Sequence, residues 1–177
     1  MRLENKVAVV TGAGQTAGIT VGNGRATALL FARHGAKLML VDRDDASVKE
    51  TAELIKSEGG ECLIHAMDVT DARACLEMIK ICQAQFGRID ILHNNVGIGA
   101  GDRGVTHLTE ESWDRIMDVN LKSMFLTAKY AIPVMREQQA GVVINISSVA
   151  AIAASSMLAY KTSKAGVIAL TQQIAGA

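Results

Sequence analysis

Residues 11–24 read TGAGQTAGITVGNG, five glycines directly after the apolar run Val7-Ala8-Val9-Val10. A glycine-rich turn between a strand and a helix leaves backbone N–H groups free to cradle a phosphate. Two sets of glycines can form that turn here. One is Gly12, Gly14 and Gly18, a compact turn; the other is Gly12, Gly22 and Gly24, which leaves residues 16–21 as an insertion. Ile19-Thr20-Val21 is β-branched and makes a poor first helical turn, whereas Arg25-Ala26-Thr27-Ala28-Leu29-Leu30 makes a good one. An acidic residue that binds an adenosine ribose is expected about 20 residues past the turn. Asp42 lies thirty residues past Gly12, or twenty-four once the six inserted residues are left out. Both arguments favour Gly12, Gly22 and Gly24. A nucleotide P-loop is excluded because no Gly-Lys-Ser/Thr follows.

The alternation of strand and helix continues outward from this turn. Aliphatic and β-branched runs at 7–11, 37–41, 62–66, 89–93 and 142–146 read as strands. Apolar positions at helical spacing cover 25–34, 46–58, 71–86 and a long stretch near 110–138. This order predicts an α/β fold, a doubly wound parallel sheet with helices on both faces, whose ligand sits outside the carboxyl ends of the strands. Asp45, Asp71 and Thr109 mark helix starts, and Glu110 and Glu111 suit the positive end of a helix dipole. No repeat, linker or low-complexity segment divides residues 1–177, which read as a single domain.

Eighteen basic residues balance eighteen acidic ones, which argues against nucleic acid or an anionic membrane as partner and leaves small molecules. No apolar run approaches the roughly 18 residues of a membrane span, and the opening MRLENK has no signal-type apolar stretch. Cys62, Cys75 and Cys82 form no CxxC, and Cys75 and Cys82 are roughly 10 Å apart along a helix, too far for a disulfide. Three idle thiols fit a reducing cytoplasm. His34, His65, His93 and His107 show no metal spacing, so no metal is expected, and Trp113 reads as a packing residue.

Farther along stand HNNVG (93–97), DVNLKSMF (118–125), INISS (144–148) and YKTSK (160–164). In this order behind the glycine turn they resemble the short-chain dehydrogenase/reductase family, whose hallmarks are TGxxxGxG, NNAG, an Asn in the fourth helix, a Ser after the fifth strand, and YxxxK. The resemblance covers the whole chain and implies a Rossmann-like oxidoreductase that binds NAD(P). It implies a catalytic set of Asn120, Ser148, Tyr160 and Lys164. It also implies that Gly12, Gly22 and Gly24 hold the cofactor phosphates and that Asp42 holds the adenosine ribose. Asp68 and Val69 would lie beside the adenine. Asn94 would support the sheet and neighbouring cofactor contacts, with Gly97, Tyr160 and Lys164 also on the cofactor. The sequence departs from the family pattern in the insertion, in NNVG for NNAG, and in a spacing. Ser148 precedes Tyr160 by twelve residues and Ser147 by thirteen, the more familiar separation; INISS favours Ser148, with Ser147 as the alternative.

The chemistry of these residues is consistent with that resemblance. Tyr160 and Lys164 are four apart, so on a helix they share one face. A free tyrosine, with a pKa of about 10, is a poor base at neutral pH, and a nearby ammonium favours the phenolate. Tyr160 would exchange a proton with the alcohol or ketone oxygen while hydride passes between carbinol carbon and nicotinamide. Ser148 would hydrogen-bond the substrate oxygen, and Asn120 would anchor a water leading from Lys164 to solvent. Asp42 repels a 2′-phosphate and favours NAD over NADP; Arg43 is the residue that speaks for an NADP-linked ketoreductase instead. Family members pair their long helices across a two-fold axis, and Met117, Leu121, Met124 and Phe125 supply apolar positions for such a contact, which implies a homo-oligomer, dimer or tetramer. Members of the family continue past the YxxxK helix with further strands and a substrate lobe, so the sequence reads as truncated there. A non-catalytic dinucleotide-binding module is accordingly the other reading.

Overall fold

Every residue of the first strand is buried, and that sets the layering. The computed structural model describes residues 1–16 and 18–176. Strand β1 (Val7–Thr11) lies between β2 (Lys37–Asp42) and β4 (Ile91–Asn94), with β3 (Cys62–Ala66) and β5 (Val142–Asn145) outside them, all parallel in the order β3-β2-β1-β4-β5. Val7 and Val9 face a core with Met39, Val41, Ile79 and Ala131; Ala8 and Val10 face the opposite core with Leu38, Leu40, Ala28 and Ile55. A parallel sheet covered on both faces needs such continuous apolar runs rather than alternation. Helices α1 (Asn23–Arg33) and α2 (Asp45–Ser57) cover the second face. Helices α3 (Ala72–Phe86) and α5 (Ser123–Glu137) cover the first. Helix α4 (Glu110–Met117) and helix α6 (Leu158–Ile174) pack together toward the β5 side of the molecule.

Chain direction across the sheet reverses between β1 and β4, which opens a crevice at their carboxyl ends. The turn after β1 and the HNNVG segment after β4 are therefore brought side by side. Three local expectations differ from the structure. Strand β4 begins at Ile91 rather than at 89, because the Gln138 side chain takes both backbone groups of Ile89, each at 2.8 Å. The cap of α2 is Asp44, which accepts from the Ser47 N–H at 3.0 Å, so Asp45 is the first helical residue; Asp71 and Thr109 cap α3 and α4 as expected. The long helix near 110–138 is two helices joined by a π-helical segment, Asp118–Lys122. Apolar spacing carries no signal for that widened turn, which turns Asn120 into the interior.

Burial pushes the Cys82 thiol up to about 12, and burial with the nearby Asp71 and Asp68 carboxylates pushes Cys75 up to about 11. Both are packing residues, as is Cys62. His93, the third residue of β4, is edge-on to Phe31, and burial lowers its pKa, so it packs as a neutral ring. Among the described residues no helix is long and apolar enough to cross a membrane.

Candidate active site

The glycine question has a steric answer. A Cβ at Gly24, the second residue of α1, would lie 1.8 Å from the Gly12 carbonyl oxygen, so only glycine fits where helix and turn touch. Gly12 has φ +67°, and a Cβ there would meet Asn95 at 3.0 Å and Val96 at 3.2 Å. Gly22 precedes the helix, its N–H held by Gln15 Oε1 at 2.8 Å. Gly18 has nothing nearer than 4.0 Å, so it is no part of the close-packed turn. Of the insertion, Thr16 and Thr20 are held by Gln15 Nε2, which donates to their carbonyls at 2.7 Å and 2.9 Å, and Ala17 lies outside the described residues.

Helix α2 holds the other side of the turn. Ser47 Oγ accepts from the Gln15 N–H at 2.5 Å and donates to the Gln15 carbonyl at 3.1 Å. One turn later Thr51 donates to the Ala13 carbonyl at 2.8 Å. Asp42, at the end of β2, accepts from the Gly14 N–H at 2.9 Å and the Asp44 N–H at 3.1 Å. A Cβ on Gly14 would collide with that carboxylate at 2.9 Å. These groups open on a groove of about 410 Å³ lined by Gly12, Gly14, Asp42, Arg43, Asp68, Val69, Asn95 and Gly97. Asp68 turns its carboxylate onto the Thr70 N–H and hydroxyl, both at 2.8 Å.

Asn94 lies behind the groove. Its amide donates to Asn145 at 2.9 Å and its oxygen accepts from Thr127 at 2.8 Å, which ties β4 to β5 and α5. The neighbouring Asn95 reaches the groove and donates to the Gly12 carbonyl at 3.2 Å. At the inner end stands Lys164, 2% exposed, its Nζ donating to the Ile146 carbonyl at 2.8 Å and 5.9 Å from the centre of the Tyr160 ring. A Cβ on Gly97 would come within 3.0 Å of that Nζ, so the groove wall and Lys164 are in contact. Burial lowers the Lys164 pKa to about 8, which leaves it charged at neutral pH and close to releasing its proton.

The two serines differ in what they are free to do. Ser147 donates its hydroxyl proton to the Lys164 carbonyl at 2.8 Å. Ser148 accepts from the Ala150 N–H at 3.2 Å, a bond that leaves its own proton available. Asn120 is fully buried; its oxygen accepts from the Ile98 N–H at 2.7 Å, and its amide donates to the Ile98 carbonyl at 2.9 Å and to Ser163 Oγ at 3.0 Å. The sequence offers Gly14 only as part of the compact turn, and Ser47, Thr51, Asn95 and Asp102 are functional-site neighbours that the structure adds. Hydroxyls four apart on α2 were a readable signal for Ser47 and Thr51; Asp102 sits in a loop with no periodicity to mark it.

Comparison with known proteins gives one family and one fold. The family model described as short chain dehydrogenase matches residues 6–177. An uncharacterized oxidoreductase of Thermotoga maritima is 39% identical over 176 residues, 99% of this chain and 66% of that protein. The 3-oxoacyl-acyl-carrier-protein reductase of the same organism is 35% identical over 97% of this chain and 68% of its own length. The structure of an NAD-bound xylitol dehydrogenase superposes with a TM-score of 0.91 at 30% identity, over 99% of this chain and 65% of that one. The chain thus spans about two thirds of the length of the relatives it matches.

Proposed function

The chain belongs to the short-chain dehydrogenase/reductase family, and on that premise we propose that it transfers hydride between NAD and a small alcohol or ketone, with Tyr160 as general acid and base. The observation that carries this reading is the contact of Lys164 with Gly97: the wall of the groove that begins at the glycine turn abuts the ammonium beside Tyr160. The residues present suit a dinucleotide. Gly12 and Gly24 leave no room for side chains where the α1 N-terminus can meet phosphate, with Gly22 leading into it. Asp42 is oriented by two backbone N–H groups and keeps lone pairs for a ribose diol. Asp68 and Val69 border the adenine end.

The bound nicotinamide supplies the hydride acceptor or donor. Tyr160 passes a proton to or from the substrate oxygen. The Lys164 ammonium, held by Ile146, favours negative charge developing on the Tyr160 oxygen. Ser148 donates to the substrate oxygen, since Ser147 is occupied by the Lys164 carbonyl. The Asn120 side chain is spent on Ile98 and Ser163, which leaves it no amide hydrogen for a water. The thiol chemistry suits a reducing cytoplasm. A hydride-transfer assay with both cofactors against sugars, polyols, steroids and β-ketoesters tests the activity; NADH binding without turnover on any of them favours a non-catalytic module.

Cofactor choice makes a separate prediction. A 2′-phosphate would meet the carboxylates of Asp42 and Asp44, and among the described groove residues only Arg43 offers it a countercharge. NAD is expected to bind at least about tenfold more tightly than NADP, and Asp42→Ala to erase most of that preference. Equal affinities in titrations of the unsubstituted protein would make it an NADP-linked ketoreductase.

Assembly is the second. Met117, Leu121 and Phe125 line a shallow apolar hollow with Leu170, and Phe125 is half exposed. Met124, counted with them from the sequence, points into the core instead. Pairing of this face with a second copy is proposed, and light scattering at micromolar concentration is expected to give a dimer or tetramer; a monomer would refute the pairing.

A further inference from the structure

The loop between β4 and α4 is tied to the helix bearing Tyr160 by one buried carboxylate. Asp102 is 5% exposed. Its Oδ2 accepts from the Tyr160 backbone N–H at 2.7 Å, and its Oδ1 accepts from the N–H groups of Ala159 at 3.2 Å and Arg103 at 2.8 Å. Helix α6 starts at Leu158, and Met157 before it supplies no side-chain cap. The free N–H groups of a first helical turn must find acceptors. Here they find them on a different element, more than fifty residues away in sequence. The acceptor is also an anion at the positive end of the helix dipole.

The same loop grips Tyr160 in two other ways. A Cβ on Gly99 would lie 3.5 Å from the Tyr160 ring, so the ring packs directly on loop backbone. Both backbone groups of Ile98 pair with Asn120, whose amide donates to Ser163 Oγ, and Ser163 in turn donates to the Tyr160 carbonyl at 2.8 Å. A closed circuit results. It runs from the Tyr160 N–H through Asp102, along the loop to Ile98, across Asn120 and Ser163, and back to the Tyr160 carbonyl. Arg115 of α4 braces the loop by donating to the Ala100 carbonyl. Gly97 and Ile98, where the loop begins, line the nucleotide groove.

From these contacts we propose that Asp102 is a positioning residue for Tyr160: it pins the first turn of α6, so that the phenol keeps its place beside Lys164 at the inner end of the groove. The proposal rests on the reading of Tyr160 as proton carrier. An uncapped first turn frays, and Tyr160 lies in that turn. Asp102 touches neither reacting group in this account; it acts through the backbone.

The chain has two tyrosines, so Tyr130→Phe leaves Tyr160 alone, and meta-fluorotyrosine then gives one fluorine resonance from its ring. With NADH present, a single sharp resonance is expected with Asp102 intact, a broadened or split one in Asp102→Ala, and substantial recovery in Asp102→Asn, which keeps one acceptor oxygen. Asp102→Ala should also lower hydride transfer about tenfold, the cost of a misplaced reacting group, with NADH affinity and KM little changed. In the Tyr160→Phe background it should add nothing. The wild-type resonance in both Asp102 variants, or the same tenfold loss without the Tyr160 hydroxyl, would overturn the proposal. Absence of hydride transfer in the unsubstituted protein would instead sink the proposed function, and the fluorine spectrum would still decide the role of Asp102.

Discussion

Tyr160→Phe is expected to lower single-turnover hydride transfer by about 10²–10⁴-fold, the usual cost of removing a general acid or base, while NADH binds nearly as before. The substitution removes one oxygen and keeps the ring, whose packing against Gly99 and the loop is a contact of ring carbons. The backbone bonds of Tyr160 to Asp102 and Ser163 do not involve the hydroxyl. Proton transfer and cofactor binding should therefore separate in this variant. Lys164→Met is the contrasting case. It removes the buried ammonium that contacts Ile146 and the Gly97 wall, so turnover and cofactor affinity should fall together. Near-normal transfer by Tyr160→Phe at neutral pH would show that the proton carrier is another group.

Gly24→Ala is expected to abolish measurable NADH binding, a loss of at least about 100-fold. An added methyl at 1.8 Å from the Gly12 carbonyl oxygen cannot be accommodated by side-chain motion, because the two nearest atoms, the oxygen and carbon of that carbonyl, are backbone. Either α1 moves away from the turn or the turn opens, and overpacking of this kind typically costs about 1–3 kcal/mol in stability as well. Gly18→Ala is the control. Its new Cβ meets nothing nearer than 4.0 Å, so binding and melting temperature should be unchanged. Fluorescence titration with NADH and thermal melts of both variants check the pair. The reverse pattern, a tolerant Gly24 and a sensitive Gly18, would assign the turn to the compact set of glycines.

The sheet was legible in the sequence because a strand buried on both faces announces itself as an unbroken apolar run, as in Val7 to Val10, and because the intervening helices keep a helical period. Legibility failed where a side chain from elsewhere replaces a local signal. Gln138 occupies the backbone of Ile89, which reads as strand from its own residue type. Asn120, in the π segment, pairs with both backbone groups of Ile98, distant in sequence. The choice of glycines could be argued from helix propensity at residues 19–30, whereas the second grip on the turn, from Ser47 and Thr51, needed the packing of α2. Asp102 shows the limit most plainly. An Asp in a glycine-rich loop reads as a turn residue, and only the tertiary structure brings its carboxylate to the start of α6.

The proposed activity requires hydride to move between substrate carbon and nicotinamide within this groove. The most direct measurement uses an alcohol deuterated at the carbinol carbon, mixed with NAD and the protein, with the label followed by NMR. That activity would place deuterium on the reduced nicotinamide ring, on one face only, with the transfer suppressed in Tyr160→Phe. Reduced cofactor that carries no deuterium, or bound NAD that acquires none from any alcohol of the panel, would contradict it.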